Sequence, residues 1–332
     1  MPTTLGLDIG GANLKAADDD DHAVSVPFAL WQNPAGLAAA LGELCTRFEP
    51  ADRLAVTMTG ELCDCFETKA EGVSHILDAV EQIAGERPIW VWQTSGEFVD
   101  PSTAREFWQL TAAANWHATA TFVGRCVPEG PGLLIDIGST TTDLIPIEDG
   151  VPAPAGRTDF ERLCSEELLY WGVGRTPVEI NVTAFAAGAR VALPPERFAT
   201  MRDVYLVLRR VPEAPADRDT ADGRPATWDH ALGRLARAVC CDRTELSDEQ
   251  IVVLAKSMHE QLCLEIKEAA MAVGGVPAAV IYAGSGAFLA DEVHQTTTLE
   301  AAEKVLIADL FSPEVSACLP AHAVARLCAE RC

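Results

Sequence analysis

Short apolar runs alternate with amphipathic segments along the chain. In the first part, five runs have the length and polarity of strands, at residues 4–9, 14–17, 23–30, 53–59 and 88–94. Apolar residues recur at helical spacing in three segments, at residues 35–48, 72–85 and 103–121. The third segment predicts one or two helices, whose small residues would permit close packing on a sheet.

The rest of the chain repeats this order with additions. Three further strands are predicted at residues 132–137, 141–147 and 278–284. Helices are predicted at residues 161–172, 230–241 and 247–273, with a final helix pair over 299–331. Residues 194–230 are rich in Pro, Asp and Ala and predict a surface insertion rather than a core element. The pattern predicts two similar α/β units, 1–125 and 126–332, with the ligand between them.

The two units begin with nearly the same sequence. Residues 5–17 read LGLDIGGANLKAA, and residues 133–147 read LLIDIGSTTTDLIPI. In each copy an apolar run ends in Asp, a turn of Gly and small residues follows, and a second strand-like run completes a β-hairpin. When the copies are aligned, Lys15 falls on Asp143. Two such hairpins facing each other across a cleft are suited to a phosphorylated ligand and its metal.

Each hairpin carries groups that can bind phosphate. Gly10 and Gly11 lack a Cβ atom, so a phosphate can approach the backbone closely, and Lys15 can supply a point charge. The predicted phosphate-binding residues of the two turns are Gly10, Gly11, Asn13, Gly138, Ser139, Thr140 and Thr141. A single turn of this kind is more often only a turn. Two copies 128 residues apart, each opening a domain-sized segment, favour a functional site.

Carboxylates accompany both turns. Carboxylates beside a phosphate-binding turn usually act by holding Mg²⁺, directly or through water. Asp8 and Asp136 are therefore the predicted ligands of Mg²⁺, the one cofactor that we expect. The predicted catalytic residues are Asp8, Lys15, Asp136 and Asp143.

A third element follows much later in the chain. Residues 280–290 read VIYAGSGAFLA, a strand that runs into Gly284, Ser285 and Gly286 and then into an apolar helix start. The N-terminus of a helix offers N–H donors to an anion, so these three residues are also predicted to bind phosphate. Alone the signal is weak, because strand–Gly–helix turns are common in α/β folds.

Taken together, the three elements resemble the actin, sugar-kinase and heat-shock-protein ATPase superfamily over the whole chain. The resemblance implies two ribonuclease-H-like (actin-like ATPase) domains with an interdomain cleft, two phosphate loops and an adenosine loop. The chain departs from the usual pattern at Ala12-Asn13, where kinases usually carry Thr or Ser, and at Ser285, inside what is commonly a Gly-Gly pair. Both departures argue against ordinary ATP use.

A narrower resemblance rests on five separated blocks. They are VTMTGELCDCFETKAEGV (56–73), AAANWHATA (112–120), GRTDFERLCSEELLYWGVGRTPV (156–178), TADGR (220–224) and RLARAVCCDR (234–243). These blocks resemble hydantoinase/oxoprolinase-like proteins of tetrahydromethanopterin-linked one-carbon transfer, whose archaeal relatives resemble the synthase of methanofuran biosynthesis. The resemblance implies a Mg²⁺-dependent transferase that joins an aminomethyl-furanmethanol diphosphate to a γ-glutamyltyramine-type phenol and releases diphosphate.

Candidate substrate contacts lie within these blocks, outside the turns. Glu61 and Lys69 directly follow a predicted strand end, where open α/β sheets place ligands, although a surface ion pair explains them equally well. Asn115 precedes Trp116, for which helix packing is the favoured explanation. Three arginines in turn-like contexts could bind phosphate or a glutamyl carboxylate and could equally be solvated surface: Arg157, Arg175 and Arg224.

Composition narrows the expected partners. The formal net charge is −24, from 49 acidic and 25 basic residues, so nucleic acid and anionic membranes are not expected partners. No apolar stretch reaches the roughly 18 residues that span a bilayer, and the N-terminus lacks a signal-peptide pattern, so we expect a cytoplasmic protein with small-molecule substrates. The 11 cysteines are scattered, which favours free thiols over a metal site at Cys63 and Cys65. The sequence leaves a homodimer open.

Two other functions fit parts of the sequence. One is an ATP-dependent small-molecule kinase or a hydantoinase/oxoprolinase-like hydrolase on the same fold. The other is a regulatory or scaffold protein that uses cleft closure as a switch. A pure scaffold has no need for Asp8, Lys15, Asp136 and Asp143, so their presence argues against that hypothesis.

Overall fold

The first half of the computed structural model, which describes residues 2–295 and 298–332, is built on a six-stranded sheet. Its strands are β1 (Thr4–Ile9), β2 (Asn13–Asp18), β3 (Ala23–Pro27), β4 (Arg53–Met58), β5 (Ile89–Trp92) and β6 (Phe98–Val99). They lie in the order β3-β2-β1-β4-β5-β6. β1, β2 and β3 form an antiparallel meander, while β4 and β5 continue parallel to β1.

A second sheet follows the same plan. The remaining strands are β7 (Pro131–Ile137), β8 (Thr142–Glu148), β9 (Val151–Pro152), β10 (Leu168–Leu169), β11 (Thr183–Ala186), β12 (Ala189–Ala192), β13 (Ala279–Ala283) and β14 (Glu303–Leu306). The sheet order is β10-β8-β7-β13-β14, with β9 also paired to β8, and β11 and β12 form a separate hairpin. β7 is antiparallel to β8 and parallel to β13, as β1 is to β2 and β4. The repeated order confirms the predicted α/β fold of two ribonuclease-H-like units.

Helices cover the faces of both sheets. They are α1 (Leu37–Cys45), α2 (Lys69–Ala84), α3 (Pro101–Glu106), α4 (Trp108–Thr111), α5 (Asn115–Val123), α6 (Asp159–Cys164), α7 (Met201–Val207), α8 (Trp228–Arg237), α9 (Asp248–Gly274), α10 (Ala290–His294), α11 (Ile307–Leu310), α12 (Pro313–Ala317) and α13 (Leu319–Arg331). Residues of α1 and α2 share one core with the first sheet, and residues of α9 share another with the second sheet. α9 starts in a capping box between Ser247 and Gln250, as its predicted N-terminus requires.

Two helices connect the units. On α5, Trp116 and Ala120 pack in a core with strands of the second sheet, while Ala118 packs with Trp92 of the first. The last helix, α13, lies in the range predicted for the second unit but packs against the first sheet. A Cβ atom on Gly6 would lie 2.0 Å from the Ala321 carbonyl oxygen, so the absent side chain lets α13 approach β1 closely. The predicted boundary at residue 125 falls in the connection between the sheets.

Three element predictions are wrong in part. The helix predicted at 161–172 ends at Cys164, because the chain then turns to form β10 along β8. The helix pair predicted over 299–331 begins with β14, which extends the parallel part of the second sheet. The segment 194–230 is not purely a surface insertion, since α7 is buried over most of its length and Tyr205 is fully buried. Most of its Pro and Asp residues lie in the turns after α7, while Pro194 and Pro195 precede the helix.

Among the described residues, no helix is long and apolar enough to cross a membrane.

Candidate active site between two hairpins

A cavity of about 600 Å³ separates the two hairpin turns. Its wall comes from the β1–β2 and β7–β8 turns, the loop after β4 and the start of α5. It brings together twelve of the predicted site residues: Asp8, Gly10, Gly11, Asn13, Lys15, Glu61, Asn115, Ser139, Thr140, Thr141, Asp143 and Arg175. The hairpins therefore face a common cavity, as the repeat predicts.

The first turn presents unpaired backbone donors. The Gly10 N–H donates to the Asn13 carbonyl oxygen at 3.0 Å, and the Gly11 carbonyl accepts from the Leu30 N–H at 2.9 Å. The N–H groups of Gly11 and Ala12 donate to no acceptor in the part of the chain that the structure describes. Unpaired N–H groups in a concave turn form a site for an anion.

The second turn has the same construction. The Gly138 N–H donates to the Thr141 carbonyl oxygen at 2.8 Å, which repeats the bond from Gly10 to Asn13. The Ser139 carbonyl accepts N–H groups from the loop at 174–175. The N–H groups of Ser139, Thr140 and Thr141 have no acceptor among the described residues. In both turns, carbonyl groups accept hydrogen bonds from the protein, and unpaired N–H groups are left to bind an anion.

The carboxylate of the first hairpin faces a lysine. Asp8 and Lys15 are register partners across β1 and β2, with 3.8 Å between Lys15 Nζ and Asp8 Oδ2. The Asp8 side chain is buried, and its Oδ1 atom has no hydrogen-bond partner among the described residues. Burial raises the pKa of Asp8, and the nearby Lys15 ammonium opposes that rise. An orphaned, buried carboxylate oxygen is suited to hold a cation.

The second hairpin instead places two carboxylates opposite each other. Asp136 and Asp143 are register partners across β7 and β8. Burial, followed by the like charges of Asp143 and Asp8, raises the pKa of Asp136 to about 7, while Lys15 lowers it. The causes of this shift include charged groups of both hairpins. Asp136 and Gly138 are not part of the cavity surface.

A buried arginine balances Asp143. Arg162 of α6 is fully buried and donates to Asp143 Oδ1 at 2.6 Å. Its guanidinium carbon lies 4.0 Å from the centre of the Trp116 ring, a cation–π distance. Asp159 lies 3.9 Å from Arg162 and 3.9 Å from Lys69, the first residue of α2. Lys69 itself does not line the cavity; its ion pair links α2 of the first unit to Asp159 in the cavity wall.

Glu61 is a buried carboxyl group in the cavity wall. The loop that carries it is fixed to β1, because the Thr59 and Gly60 N–H groups both donate to the Ile9 carbonyl at 3.0 Å. Glu61 is 1% exposed, and its Oε2 atom has no hydrogen-bond partner among the described residues. Burial raises the pKa of Glu61 to about 7, against the lowering effect of backbone N–H bonds and Lys69. A carboxyl group with this pKa can accept a proton near neutral pH.

The predicted third loop lies outside the cavity surface. Gly284 has a φ of +81°, and a Cβ atom there would lie 2.3 Å from Asp136 Oδ1. The Gly286 N–H donates to the Ile137 carbonyl at 2.8 Å, and Ser285 is exposed. A 3₁₀ turn (Ala287–Leu289) and the five-residue helix α10 follow, where the sequence predicts the start of a helix. These contacts give the glycines a packing role against β7, and phosphate binding here stays a prediction.

Two predicted substrate-binding arginines lie elsewhere. Arg157 lines a second cavity, on the other side of α5. Arg224 is exposed and lies 3.9 Å from Asp222, in a turn braced by the buried Arg234. Neither arginine lines the first cavity, so their predicted role in substrate binding stays a prediction. A turn-like sequence indicates exposure but not which surface the turn faces.

Comparison with known proteins assigns the family. The sequence model of the hydantoinase/oxoprolinase family matches residues 52–331. The chain belongs to the hydantoinase/oxoprolinase family.

Two curated relatives of this family member bear the same name, (4-{4-[2-(gamma-L-glutamylamino)ethyl]phenoxymethyl}furan-2-yl)methanamine synthase. The protein from Methanocaldococcus jannaschii is 36% identical over 269 residues, which are 80% of this chain and 79% of that protein. The protein from Methanococcus vannielii is 32% identical over 199 residues, which are 59% of this chain and 89% of that protein.

Solved structures give a more distant likeness. Component A of the (R)-2-hydroxyglutaryl-CoA dehydratase of Acidaminococcus fermentans matches 98% of this chain and 97% of that chain, with 14% sequence identity and a TM-score of 0.46. The fold of this hydantoinase/oxoprolinase family member is assigned here from the strand order of its two sheets.

Sequence reasoning missed several residues of the cavity. Trp31 and Tyr170 line it with 44% and 50% of their surface exposed, and Leu62 also stands exposed in its wall. Arg162 lies in the segment predicted as a helix at 161–172 and was not among the predicted site residues. The signal that could have found it is an arginine three residues after Asp159 in a short helix otherwise rich in apolar residues. For the aromatic residues, no local pattern separates a cavity wall from a core.

The predicted Mg²⁺ ligands can be compared with the potential ligand side chains that the structure places near one another. Among the described residues, no three His, Cys, Asp or Glu side chains converge on one point. Mg²⁺ in phosphate sites is commonly held by one or two carboxylates, with water and phosphate oxygens completing the shell. Asp8 lines the cavity, and its unpaired oxygen can supply one carboxylate of that smaller set in this family member, whereas Asp136 lies outside the cavity surface.

Proposed function

We propose that this protein is a Mg²⁺-dependent transferase. It condenses an aminomethyl-furanmethanol diphosphate with a γ-glutamyltyramine-type phenol and releases diphosphate. The observation that carries the proposal is the pair of matching turns, whose unpaired N–H groups and Lys15 face one cavity. Two phosphate-binding turns suit the two phosphoryl groups of a diphosphate.

The names of the two curated relatives support the choice of bond. The product in those names contains a phenoxymethyl-furan ether, so its formation requires an aryl C–O–CH₂ link. In the proposed reaction the phenol oxygen bonds to the furan methylene carbon as the bond from that carbon to the diphosphate oxygen breaks. The phenol proton goes to a base, and the electron pair of the broken bond leaves with diphosphate.

The two turns stabilise the leaving group. Negative charge develops on the bridging diphosphate oxygen as the C–O bond breaks, and fixed N–H donors and Lys15 favour that charge. Asp8 and Asp136 would hold Mg²⁺, which supplies further positive charge to the phosphate oxygens. Arg175, which has no ion-pair partner in the described part of the chain, is available at the cavity wall for a phosphate or carboxylate.

Glu61 is the base that we assign to the phenol. A phenol has a pKa of about 10, so it needs a proton acceptor to attack at neutral pH. The Glu61 carboxyl is buried, unpaired at Oε2 and held in the cavity wall by its loop. Its raised pKa makes it a stronger base than an ordinary carboxylate.

The exposed apolar wall suits an aromatic acceptor. Trp31, Leu62 and Tyr170 are large side chains that stay partly open to solvent within the cavity. Aromatic rings prefer offset or edge contacts with other rings, so these residues are the proposed contacts of the phenol ring. We place the reaction in the cytoplasm, in methanofuran-type cofactor synthesis for tetrahydromethanopterin-linked one-carbon metabolism.

One competing function has support from the family match. The family is named for hydantoinase and oxoprolinase activities, and ATP-dependent kinases share the fold expected from the sequence. Such an enzyme would convert ATP to ADP or open a cyclic amide. The packed third loop, with Gly284 against Asp136, is the feature that argues for diphosphate rather than ATP as the bound phosphate compound.

The direct test is a coupling assay. The purified protein is incubated with the furan diphosphate and γ-glutamyltyramine, with Mg²⁺ or with EDTA, and the products are followed by mass spectrometry. With Mg²⁺ we expect formation of the aryl ether and release of one diphosphate for each ether formed. With EDTA we expect neither product. Lys15→Met should lower the coupling rate by about 10²–10³-fold, and the matched variant Lys256→Met, at an exposed position on α9, should keep it. Formation of ADP from ATP on a small substrate, without ether formation, would support the kinase instead.

A further inference from the structure

A second cavity lies behind the proposed active site. Its volume is about 550 Å³. His117 and Thr121 of α5 line it, whereas Asn115 and Trp116 of the same helix line the first cavity. Residues 117 and 121 are one helical turn apart and share a face, so the two cavities lie on different sides of α5.

The two cavities differ in charge. Five carboxylates line the first, Asp8, Glu61, Asp64, Asp143 and Asp159, together with three cations, Lys15, Arg162 and Arg175. The second is lined by Arg125, Arg157 and Arg331 and, among the described residues, by no acidic side chain. A basic cavity is unexpected on a chain with a net charge of −24, because a random patch of this surface carries carboxylates.

Two of the three arginines have free guanidinium donors. Arg157 makes no side-chain hydrogen bond or ion pair within the described residues. Arg331 donates one hydrogen bond, to the Gly96 carbonyl at 3.1 Å, and has no carboxylate partner in the same part of the chain. Arg125 is paired with Glu330 at 2.6 Å. Guanidinium groups bind carboxylates and phosphates through paired N–H donors, so the free groups are suited to an oxyanion.

The positive field reaches the interior of the cavity. His117 is 8% exposed, and burial, followed by Arg157, Arg162 and Arg331, lowers its pKa to about 4. Its Nδ1 atom lies 3.4 Å from Thr121 Oγ1. The opposite wall, residues 150–154, is apolar and comes from the second unit, while the 94–96 turn comes from the first. The cavity therefore combines a cationic end, an apolar wall and contributions from both units.

We infer that this second cavity binds a small organic oxyanion, a phosphate ester or a carboxylate, through Arg157 and Arg331. The apolar wall at 150–154 receives the body of the ligand. An anion bound there contacts both units and the reverse face of the helix that carries Asn115 into the active site. The site is separate from the two hairpins, so it does not depend on the proposed synthase reaction.

Arginine side-chain NMR tests the inference. The Nε–H signals of the ¹⁵N-labelled protein are followed at pH 7 during titration with inorganic phosphate and, in a second series, with succinate. We expect saturable shifts of the Arg157 and Arg331 signals and of the His117 ring. Comparison of the two series identifies the phosphate or the carboxylate as the preferred group. The Arg190 signal, from an exposed arginine on β12, is the internal control.

The anion affinity of variants tests the inference quantitatively. The double variant Arg157→Ala/Arg331→Ala should weaken binding at least about tenfold, as expected for the loss of charge-assisted hydrogen bonds. Arg190→Ala and Lys15→Met should leave the His117 shift unchanged. Both arginines are exposed, so the double variant is expected to fold, which a thermal melt verifies. Equal, non-saturating shifts of all exposed arginines, or unchanged binding in the double variant, would overturn the inference.

Discussion

The two hairpins share a backbone plan but differ in the residue opposite the carboxylate. In β1–β2, Asp8 is in register with Lys15. In β7–β8, Asp136 is in register with Asp143, at the corresponding place of the ladder. Both turns keep the same hydrogen bond across the loop, Gly10 to Asn13 and Gly138 to Thr141. The turn is thus preserved while the charge on the neighbouring strand is inverted.

The inversion requires compensation elsewhere. Two carboxylates facing each other repel, and a buried cation must offset that repulsion for the hairpin to stay folded. Arg162 takes this role at 2.6 Å from Asp143, supported by the face of Trp116. The first hairpin carries its cation within itself and needs no such partner. A repeat therefore fixes the backbone of a site, whereas the surrounding helices set its electrostatics.

The largest effect is expected from Arg162→Met. Removal of one partner from a buried ion pair leaves Asp143 uncompensated beside Asp136, so we expect a loss of about 3–5 kcal/mol in the free energy of unfolding. Urea denaturation measures it. Asp143→Asn in the Arg162→Met background should restore part of the loss, because the unpaired charge is removed. Additive losses in the double variant would show that the two side chains do not interact.

The second largest effect is a dependence of the free energy of unfolding on pH. Asp136 has a folded pKa of about 7, above its ordinary value of 3.8, so the folded state holds this proton more tightly than the unfolded state. The resulting stability is present below pH 4 and is lost as pH rises to about 7, by at most about 4 kcal/mol. Asp136→Asn, measured by urea denaturation in EDTA, should remove the Asp136 part of this dependence and leave the part that comes from Glu61, whose pKa is also about 7. The exposed Asp309→Asn should retain both parts, and a wild-type slope in Asp136→Asn would contradict the assignment.

A smaller effect, on catalysis, is expected from Lys15→Met. Loss of a cation that stabilises developing charge lowers kcat by about 10²–10³-fold in comparable sites. The variant also tests the difference between the hairpins, because the second hairpin has Asp143 at the position that corresponds to Lys15. Steady-state coupling kinetics measure the change. A change confined to KM would assign Lys15 to ground-state binding only.

The smallest effect is expected from Gly284→Ala. The added Cβ atom meets Asp136 Oδ1 at 2.3 Å, and the backbone has a positive φ, so we expect a loss of roughly 1–3 kcal/mol. Thermal or urea unfolding measures it. Gly188→Ala is the matched control, since its φ is also positive but no atom lies within 4 Å of an added Cβ. Equal losses would assign the cost to φ alone and remove the proposed packing against the second hairpin.

The sequence predicts the local parts of this structure well. A hairpin is encoded by a few consecutive residues, so LGLDIGGANLKAA and LLIDIGSTTTDLIPI were sufficient to place both turns and their facing arrangement. The strand order followed from the repeated pattern, and the fold is confirmed. Nine of the twelve predicted residues that line the cavity belong to these hairpins, whereas Glu61, Asn115 and Arg175 come from other elements.

Nonlocal contacts escaped prediction. Arg162 meets Asp143 only because β10 turns the chain back along β8 after α6, and no local pattern encodes that turn. The packing of α13 on β1 and the burial of α7 depend on partners far away in sequence. The sequence did not show that Arg157 and Arg224 lie outside the first cavity, because exposure can be inferred from composition, but the direction in which a loop faces cannot.

The central claim is that both hairpins bind one diphosphate, and calorimetric titration tests it most directly. Diphosphate and ATP are titrated with Mg²⁺ into the wild type, Lys15→Met in the first hairpin and Thr140→Val in the second. We expect diphosphate to bind more tightly than ATP, and both variants to weaken diphosphate binding by at least about tenfold. Tighter binding of ATP, or a diphosphate affinity that depends on one hairpin only, would contradict the account.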